Sequence, residues 1–145
     1  MQQMETVRMC ILACGLGFLA IEDIKEQELH GLPLLLLGIS GIILAIIGKT
    51  WTDGTFLWRF LPGLCLIFLA WMTKESIGYG DGLAVLCMGC FYPVEELFGL
   101  ILLAVTLAGL IALGLLAVFR RGRKTRLPFV PFLFGAHLAV WALRG

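Results

Sequence analysis

Long apolar runs separated by short polar segments dominate this chain. Three runs, residues 32–48, 97–119 and 127–143, contain no Asp, Glu, Lys or Arg. A fourth run, residues 56–72, contains only Arg59, close enough to one end for its long side chain to reach lipid headgroups. Because a helix needs roughly 17–25 mostly apolar residues to cross a bilayer, each of these runs predicts a membrane span.

Two further apolar runs are shorter, and each borders a carboxylate. Residues 9–21 lead into Glu22 and Asp23, and residues 82–94 follow Asp81. Short runs of this kind are typical of spans whose polar end lies in a wet cavity lined by protein. The pattern therefore predicts an all-α, polytopic protein with about six transmembrane helices, forming one membrane domain over residues 1–145.

Composition excludes several other classes of protein. Hydrophobic residues make up 60% of the chain and charged residues 14%, against roughly 45–50% and about 25% in soluble domains. A formal net charge of +1 gives no overall attraction for nucleic acid, and 5 cysteines in apolar runs do not resemble a disulfide scaffold. A cleavable signal peptide is disfavoured because Phe18 occupies the position three residues before the most plausible cut, after Ala20. The expected surroundings are a lipid bilayer.

The basic residues predict the orientation of the helices. Residues 120–126 form the densest basic segment of the chain, and short basic loops stay in the cytoplasm. Counting spans back from this loop places Asp23 and Asp81 on the cytoplasmic side. Because two predicted spans separate them, they share a membrane face in either orientation.

Asp23 and Asp81 are the strongest candidates for chemistry. A carboxylate at membrane depth costs roughly 2.5–3.5 kcal/mol, although each Asp alone also fits a helix end among headgroups. Asp81 lies in the segment 78–82, whose three glycines permit positive φ angles and close helix approach. If the two carboxyl groups meet, one keeps a proton and the other acts as a base on water, so that the pair titrates as a unit.

Three segments carry a resemblance to a known family. Residues 78–81 match the G-x-G-D motif of intramembrane aspartyl proteases. Residues 20–25 resemble the segment that holds the first catalytic Asp of the type IV prepilin peptidase family, and residues 127–133 resemble its last-helix motif, I-P-F-G-P-F-L. With the three segments in the family's order, the chain resembles the short members that lack the cytoplasmic Cys-rich methylation domain.

The resemblance implies an aspartic-type endopeptidase with Asp23 and Asp81 as catalytic residues. Its implied substrates are prepilin-like or pseudopilin-like precursors with a basic leader and a hydrophobic N-terminal helix, cut at the cytoplasmic face of a bacterial or archaeal cytoplasmic membrane. The dyad would activate water, so no metal or organic cofactor is expected. The residues expected to support the motif are Gly78, Tyr79, Gly80 and Gly82. The candidate substrate-binding residues are Glu22, Glu26, His30, Pro128, Phe129 and Pro131.

Two departures from the family pattern leave alternatives open. Leu83 stands where the family usually has Lys, and Leu29, His30 and Gly31 stand where it usually has Ile-Pro-Asn. These changes are compatible with an altered specificity or with a catalytically inactive assembly subunit of the same fold. A transporter or proton-relay protein that uses the two Asp residues is the other alternative.

The positions of the cysteines and of His137 add less to the prediction of function than the two aspartates do. Cys87 and Cys90 form one Cys-x-x-Cys pair with no second pair in the sequence, and because a structural zinc site needs four ligands we interpret them as apolar helix residues. His137, within the last apolar run, is expected to form a hydrogen bond between helices.

Overall fold

The computed structural model describes residues 2–26, 30–73, 78–119 and 127–145. The regular structure of these residues is helical, which confirms the all-α prediction, whereas the basic segment 120–126 lies outside the described residues. The α-helices in chain order are α1 (Gln2–Glu26), α2 (Gly31–Ile47), α3 (Leu61–Met72), α4 (Tyr79–Met88), α5 (Val94–Phe119) and α6 (Val130–Arg144). Two short 3-10 helices, Thr50–Thr52 and Leu57–Phe60, lie between α2 and α3.

The first and last helices pack antiparallel along most of their length. Asp23 near the end of α1 contacts Val130 at the start of α6, while Glu5 near the start of α1 lies 3.6 Å from Arg144 at the end of α6. The bundle therefore has two distinct ends. We call them the Asp end, which holds Asp23 and Asp81, and the Arg end, which holds Arg8, Arg59 and Arg144.

The core is built around α1, one face of which packs against α6 and α2, and residues of α4 and α5 complete it. On α1 the apolar side chains recur at the helical spacing of three and four residues, and they are fully buried. The central buried residues are Leu12, Leu16, Leu19, Val85, Met88, Leu97, Leu100 and Leu133. Most large side chains of α2 and α5 point outward instead, as expected for helices that face lipid.

Glycines bring α3 and α4 into near backbone contact. A Cβ atom at Gly63 would lie 2.6 Å from the Cα of Leu86, and one at Gly82 would lie 2.7 Å from Cγ1 of Ile67. The two contacts are one helical turn apart on each helix and run in opposite directions, so α3 and α4 are antiparallel. Small residues that permit close approach are a recurrent basis of helix packing in membranes.

Of the two possibilities that the glycines around Asp81 permit, the structure uses close helix approach and not positive φ angles. No glycine among the described residues has a positive φ, and α4 already begins at Tyr79. Asp81 therefore lies in regular helix, and its glycine neighbour Gly82 serves close packing. The physical reason is that α3 requires a helical partner without side chains at this contact.

For two of the predicted spans, the helix boundaries in the structure differ from those predicted. The run 9–21 is part of a longer helix, since α1 begins at Gln2 and continues past Asp23 to Glu26. The run 82–94 is divided between α4, which ends at Met88, and the start of α5 at Val94.

Arg59 does not extend outward, so the expectation that it reaches the headgroups is wrong. Its side chain is only 8% exposed, and Nη2 donates a hydrogen bond to Oδ2 of Asp53 at 3.1 Å. Its guanidinium also lies 5.6 Å from the centre of the Phe56 ring. A carboxylate and an aromatic face from the same connecting segment thus hold the cation inside the protein.

Helix length supports membrane crossing for part of the bundle. Two segments, Gln2–Glu26 and Val94–Val118, are long and apolar enough to cross a bilayer. The other four apolar helices have 10–17 residues. Crossing by all six helices stays a prediction.

Candidate active site

Asp23 lies in the last turn of α1 and points into the protein. It is only 7% exposed, although its neighbour Ile24 is 60% exposed. Its Oδ2 accepts a hydrogen bond of 3.1 Å from the backbone N–H of Val130. Because Val130 opens α6, that N–H has no acceptor within its own helix, and the positive end of the helix dipole favours an anion there. The segment 127–133 thus supplies a donor for the Asp23 carboxylate.

Asp81 is the third residue of α4 and is half-buried. Its backbone N–H donates to the carbonyl oxygen of Gly78 at 3.1 Å, which closes the first turn of the helix. The carboxyl group folds back over the same residue, because a Cβ atom at Gly78 would lie 3.1 Å from Oδ2 of Asp81. Glycine at position 78 therefore leaves the space that the carboxyl group occupies.

The structure brings the two aspartates together at the Asp end. Asp23 comes from α1 and Asp81 from α4, and their carboxylates lie within range of a charge–charge interaction, which is longer than a hydrogen bond. Both occur near a helix N-terminus, Asp23 at that of α6 and Asp81 at that of α4. The arrangement provides two carboxyl groups at one end of the bundle, that of Asp23 buried and that of Asp81 half-buried.

A second group of titratable side chains lies one turn from Asp23. Nδ1 of His30 is 3.6 Å from Oε1 of Glu22 and 3.5 Å from Oε2 of Glu26. The other carboxylate oxygen of Glu22 is buried and has no hydrogen-bond partner among the described residues. Three of the candidate substrate-binding residues thus form one cluster, which we call the Glu–His cluster.

The remaining candidate residues lie around the same end. Pro128, Phe129 and Pro131 are half-buried on either side of Val130, and Tyr79 is 38% exposed. Leu83, where the family usually has Lys, is 43% exposed. Within the described ranges no three His, Cys, Asp or Glu side chains are grouped as metal ligands.

Sequence reasoning missed the backbone partner of Asp23. Almost every residue type carries a main-chain N–H, so the sequence does not show which residue donates such a hydrogen bond. The sequence pointed to this donor only through the prolines at the start of the last apolar run. The prediction for His137 is confirmed, since its Nδ1 lies 2.6 Å from the hydroxyl oxygen of Tyr92 and its Nε2 lies 3.3 Å from the carbonyl oxygen of Met9. That contact is formed far from Asp23, towards the Arg end.

Comparison with known proteins places the chain in a family. The model of the type IV leader peptidase family matches residues 10–113, which include both Asp23 and Asp81. No curated protein and no solved structure matches the chain significantly. Since the match covers well over half of the sequence, the chain belongs to the type IV leader peptidase family, whose members are membrane-embedded peptidases.

Proposed function

We propose that this protein is an aspartic-type endopeptidase that removes the basic leader from prepilin-like precursors at the cytoplasmic side of the membrane. The observation that supports the proposal is that Asp23 and Asp81 lie at the same end of the bundle, within range of a charge–charge interaction. Membership of a leader peptidase family supports the same reaction class. The proposed enzyme comprises residues 1–145 as a single domain of six spans, with its Asp end facing the cytoplasm.

The two carboxyl groups would act on one water molecule. Two adjacent carboxylates do not both ionise cheaply, so the pair holds one proton. The charged carboxylate takes a proton from water as the water oxygen bonds to the scissile carbonyl carbon, and the protonated carboxyl gives its proton to the carbonyl oxygen. As that intermediate collapses and the C–N bond breaks, the carboxyl that took the proton from water gives it to the leaving nitrogen, and the other carboxylate takes a hydroxyl proton from the intermediate. One water is consumed, and the pair returns to its starting state.

The Val130 N–H holds the Asp23 carboxylate in one position, where it would act on water. The hydrogen bond to Oδ2, together with the nearby backbone N–H of Phe129, fixes the Asp23 carboxylate at the start of α6. The roles of acid and base belong to the pair, because coupled groups titrate together.

The Glu–His cluster is our candidate for recognition of the basic leader. It contributes two carboxylates, and the side chain of Glu26 is 59% exposed. Leu83 removes the cation that the family usually has near the motif Asp, which makes this end more attractive to a basic peptide. Phe129, Pro128 and Pro131 offer apolar surface for the helical part of the substrate.

Replacement of each aspartate by its isosteric amide tests the proposal. Asp23→Asn and Asp81→Asn should each nearly abolish cleavage of a co-expressed prepilin-like precursor, seen as loss of the processed band on a gel. The double variant should be little worse than either single variant, because residues that act as a unit are not additive. Glu95→Gln is the matched control, since this exposed acid lies at the start of α5.

The outcomes separate the proposed peptidase from its alternatives. Full cleavage by either Asp→Asn variant would exclude the dyad. A wild-type protein that inserts normally but cuts no precursor would favour the inactive assembly subunit. Proton uptake that depends on both aspartates, without cleavage, would favour the relay protein.

A further inference from the structure

The Arg end contains a cavity of about 170 Å³, well above the ~15 Å³ that one water molecule requires. It lies between the start of α1, the segment that follows α2 and the segment that precedes α5. Four charged side chains line it, namely Glu5, Arg8, Arg59 and Arg144. The cavity is far from Asp23 and Asp81, so the proposed cleavage reaction does not use it.

Arg59 lines the cavity and has more N–H donors than hydrogen-bond partners among the described residues. Its side chain is 8% exposed, and one nitrogen, Nη2, donates to Asp53. Its Nε is buried and has no hydrogen-bond partner among the described residues. A guanidinium has five N–H donors and accepts no hydrogen bond, so the single bond to Asp53 leaves most donors of Arg59 without a partner among the described residues.

Arg8, which is half-buried, also lines the cavity. Its Nη2 donates to the carbonyl oxygen of Cys90 at 3.0 Å, but its Nε is buried without a partner in the described part of the chain. No carboxylate of the described residues lies within ion-pair distance of Arg8, although Glu5 attracts it at longer range. Burial of a cation without a close counter-charge is costly.

The charges around the cavity are unevenly compensated. Arg144 pairs with both Glu5 and Glu96 and is fully neutralised. Arg8 and Arg59 instead repel each other, and the one carboxylate beside Arg59 belongs to the 56% exposed Asp53. The three arginines and the carboxylates of Glu5, Glu96 and Asp53 balance in number, but the two carboxylates beside Arg144 leave Arg8 without a close counter-charge next to Arg59.

We propose that this cavity binds a phosphate oxyanion between Arg8 and Arg59. An anion there would accept hydrogen bonds from N–H donors of the two guanidinium groups that line the cavity and would offset the repulsion between the two cations. A tetrahedral group suits two guanidinium groups on different walls, because its oxygens point in several directions, whereas a planar carboxylate fits one guanidinium fork. The phosphate comes either from a phospholipid headgroup or from free phosphate.

Thermal unfolding of the purified full-length chain in detergent tests the site. Sodium phosphate should raise the Tm saturably, beyond the effect of sodium chloride at equal ionic strength. Arg8→Gln and Arg59→Gln should each weaken phosphate binding by about tenfold or more, which corresponds to loss of one charge-assisted hydrogen bond. Lys49→Gln is the matched control, because it removes an exposed cation from the same end without altering the cavity.

Native mass spectrometry of protein extracted from membranes distinguishes the two sources. One retained phospholipid per chain, lost in both Arg→Gln variants, identifies a headgroup. Saturable binding of inorganic phosphate with no retained lipid identifies the free anion. Absence of both kinds of binding, or binding that is unchanged in both variants, overturns the proposal. If a variant does not fold, the wild-type comparison of phosphate with chloride decides alone.

Discussion

The carboxyl group of Asp81 occupies space that exists because residue 78 has no side chain. A Cβ atom there would lie 3.1 Å from Oδ2, a distance shorter than most real contacts of a Cβ atom. The backbone of Gly78, with φ of −65° and ψ of 130°, is acceptable for alanine. The residue is therefore required for the position of a neighbour and not for its own conformation.

Gly78→Ala should accordingly impair cleavage while leaving stability nearly unchanged. Displacement of a catalytic group by a fraction of an ångström costs rate because the reacting atoms lose their alignment, and we expect roughly a tenfold loss in kcat/KM. Processing assays of the precursor, run beside thermal unfolding, measure both effects. Gly99→Ala is the control, since nothing lies within 4 Å of that position, and it should leave cleavage intact. Equal cleavage by the Gly78→Ala variant and the wild type would show that the Asp81 carboxyl does not need this space.

Other residues show where sequence reasoning succeeds and where it stops. Asp23 and Asp81 were identifiable because a carboxylate beside an apolar run is costly and therefore conspicuous. The partner of Asp23 was not, because Val130 contributes its backbone and any residue except proline carries that donor. Burial of Arg59 was equally hidden, since hydropathy describes a residue and not the carboxylate and ring that surround it.

Among the helices, α3 and α4 are short and are stabilised mainly by packing against each other. Together they hold Asp81, yet α4 contains only 10 residues. Helices this short are marginal in isolation, so their stability comes from packing. Gly63 and Gly82 provide that packing by allowing each helix to contact the other's backbone.

Gly63→Ala should push α3 away from α4. The added Cβ would meet the Cα of Leu86 at 2.6 Å, and a backbone atom cannot turn aside as a flexible side chain does. We expect destabilisation of about 1–3 kcal/mol, the usual range for overpacking, together with weaker cleavage because α4 carries Asp81. Unfolding in denaturant measures the first effect and precursor processing the second.

Gly109→Ala is the control for this helix contact, because that glycine of α5 faces open space. It should stabilise the helix by up to about 1 kcal/mol, the usual gain of alanine over glycine in a helix. Similar unfolding free energies for the two variants would contradict the close contact between α3 and α4.

Helix boundaries were harder to predict than the existence of helices. The apolar runs of the sequence located the six α-helices of the described residues. They placed the start of α1 at residue 9, however, because Glu5 and Arg8 interrupt the apolar pattern before it. In the folded chain those polar residues belong to the helix, since Arg144 and Cys90 provide partners for them. Tertiary partners, which no local pattern contains, set the true ends.

At the scale of the whole molecule, the two ends of the bundle predict its arrangement in the membrane. Lys25 lies at the Asp end, while Asp53 and Glu95 lie at the Arg end. If all six helices span the bilayer, reporter fusions at Lys25, Lys74 and Lys124 should be cytoplasmic, and fusions at Asp53 and Glu95 should be external. Lys74 and Lys124 lie outside the described residues, so their assignment depends on sequence alone. An external reporter at Lys74 would break the alternation of the helices.

The contact between Asp23 and Val130 has a consequence for biosynthesis. A ribosome synthesises α1 well before α6, and the hydrogen bond joins positions separated by 107 residues. The Asp23 carboxylate therefore acquires its donor only after Val130 has been synthesised and α6 has packed against α1. On the proposed function, a nascent chain lacks the hydrogen bond that holds Asp23 until α6 is in place, so cleavage activity should appear only after α6 has packed against α1.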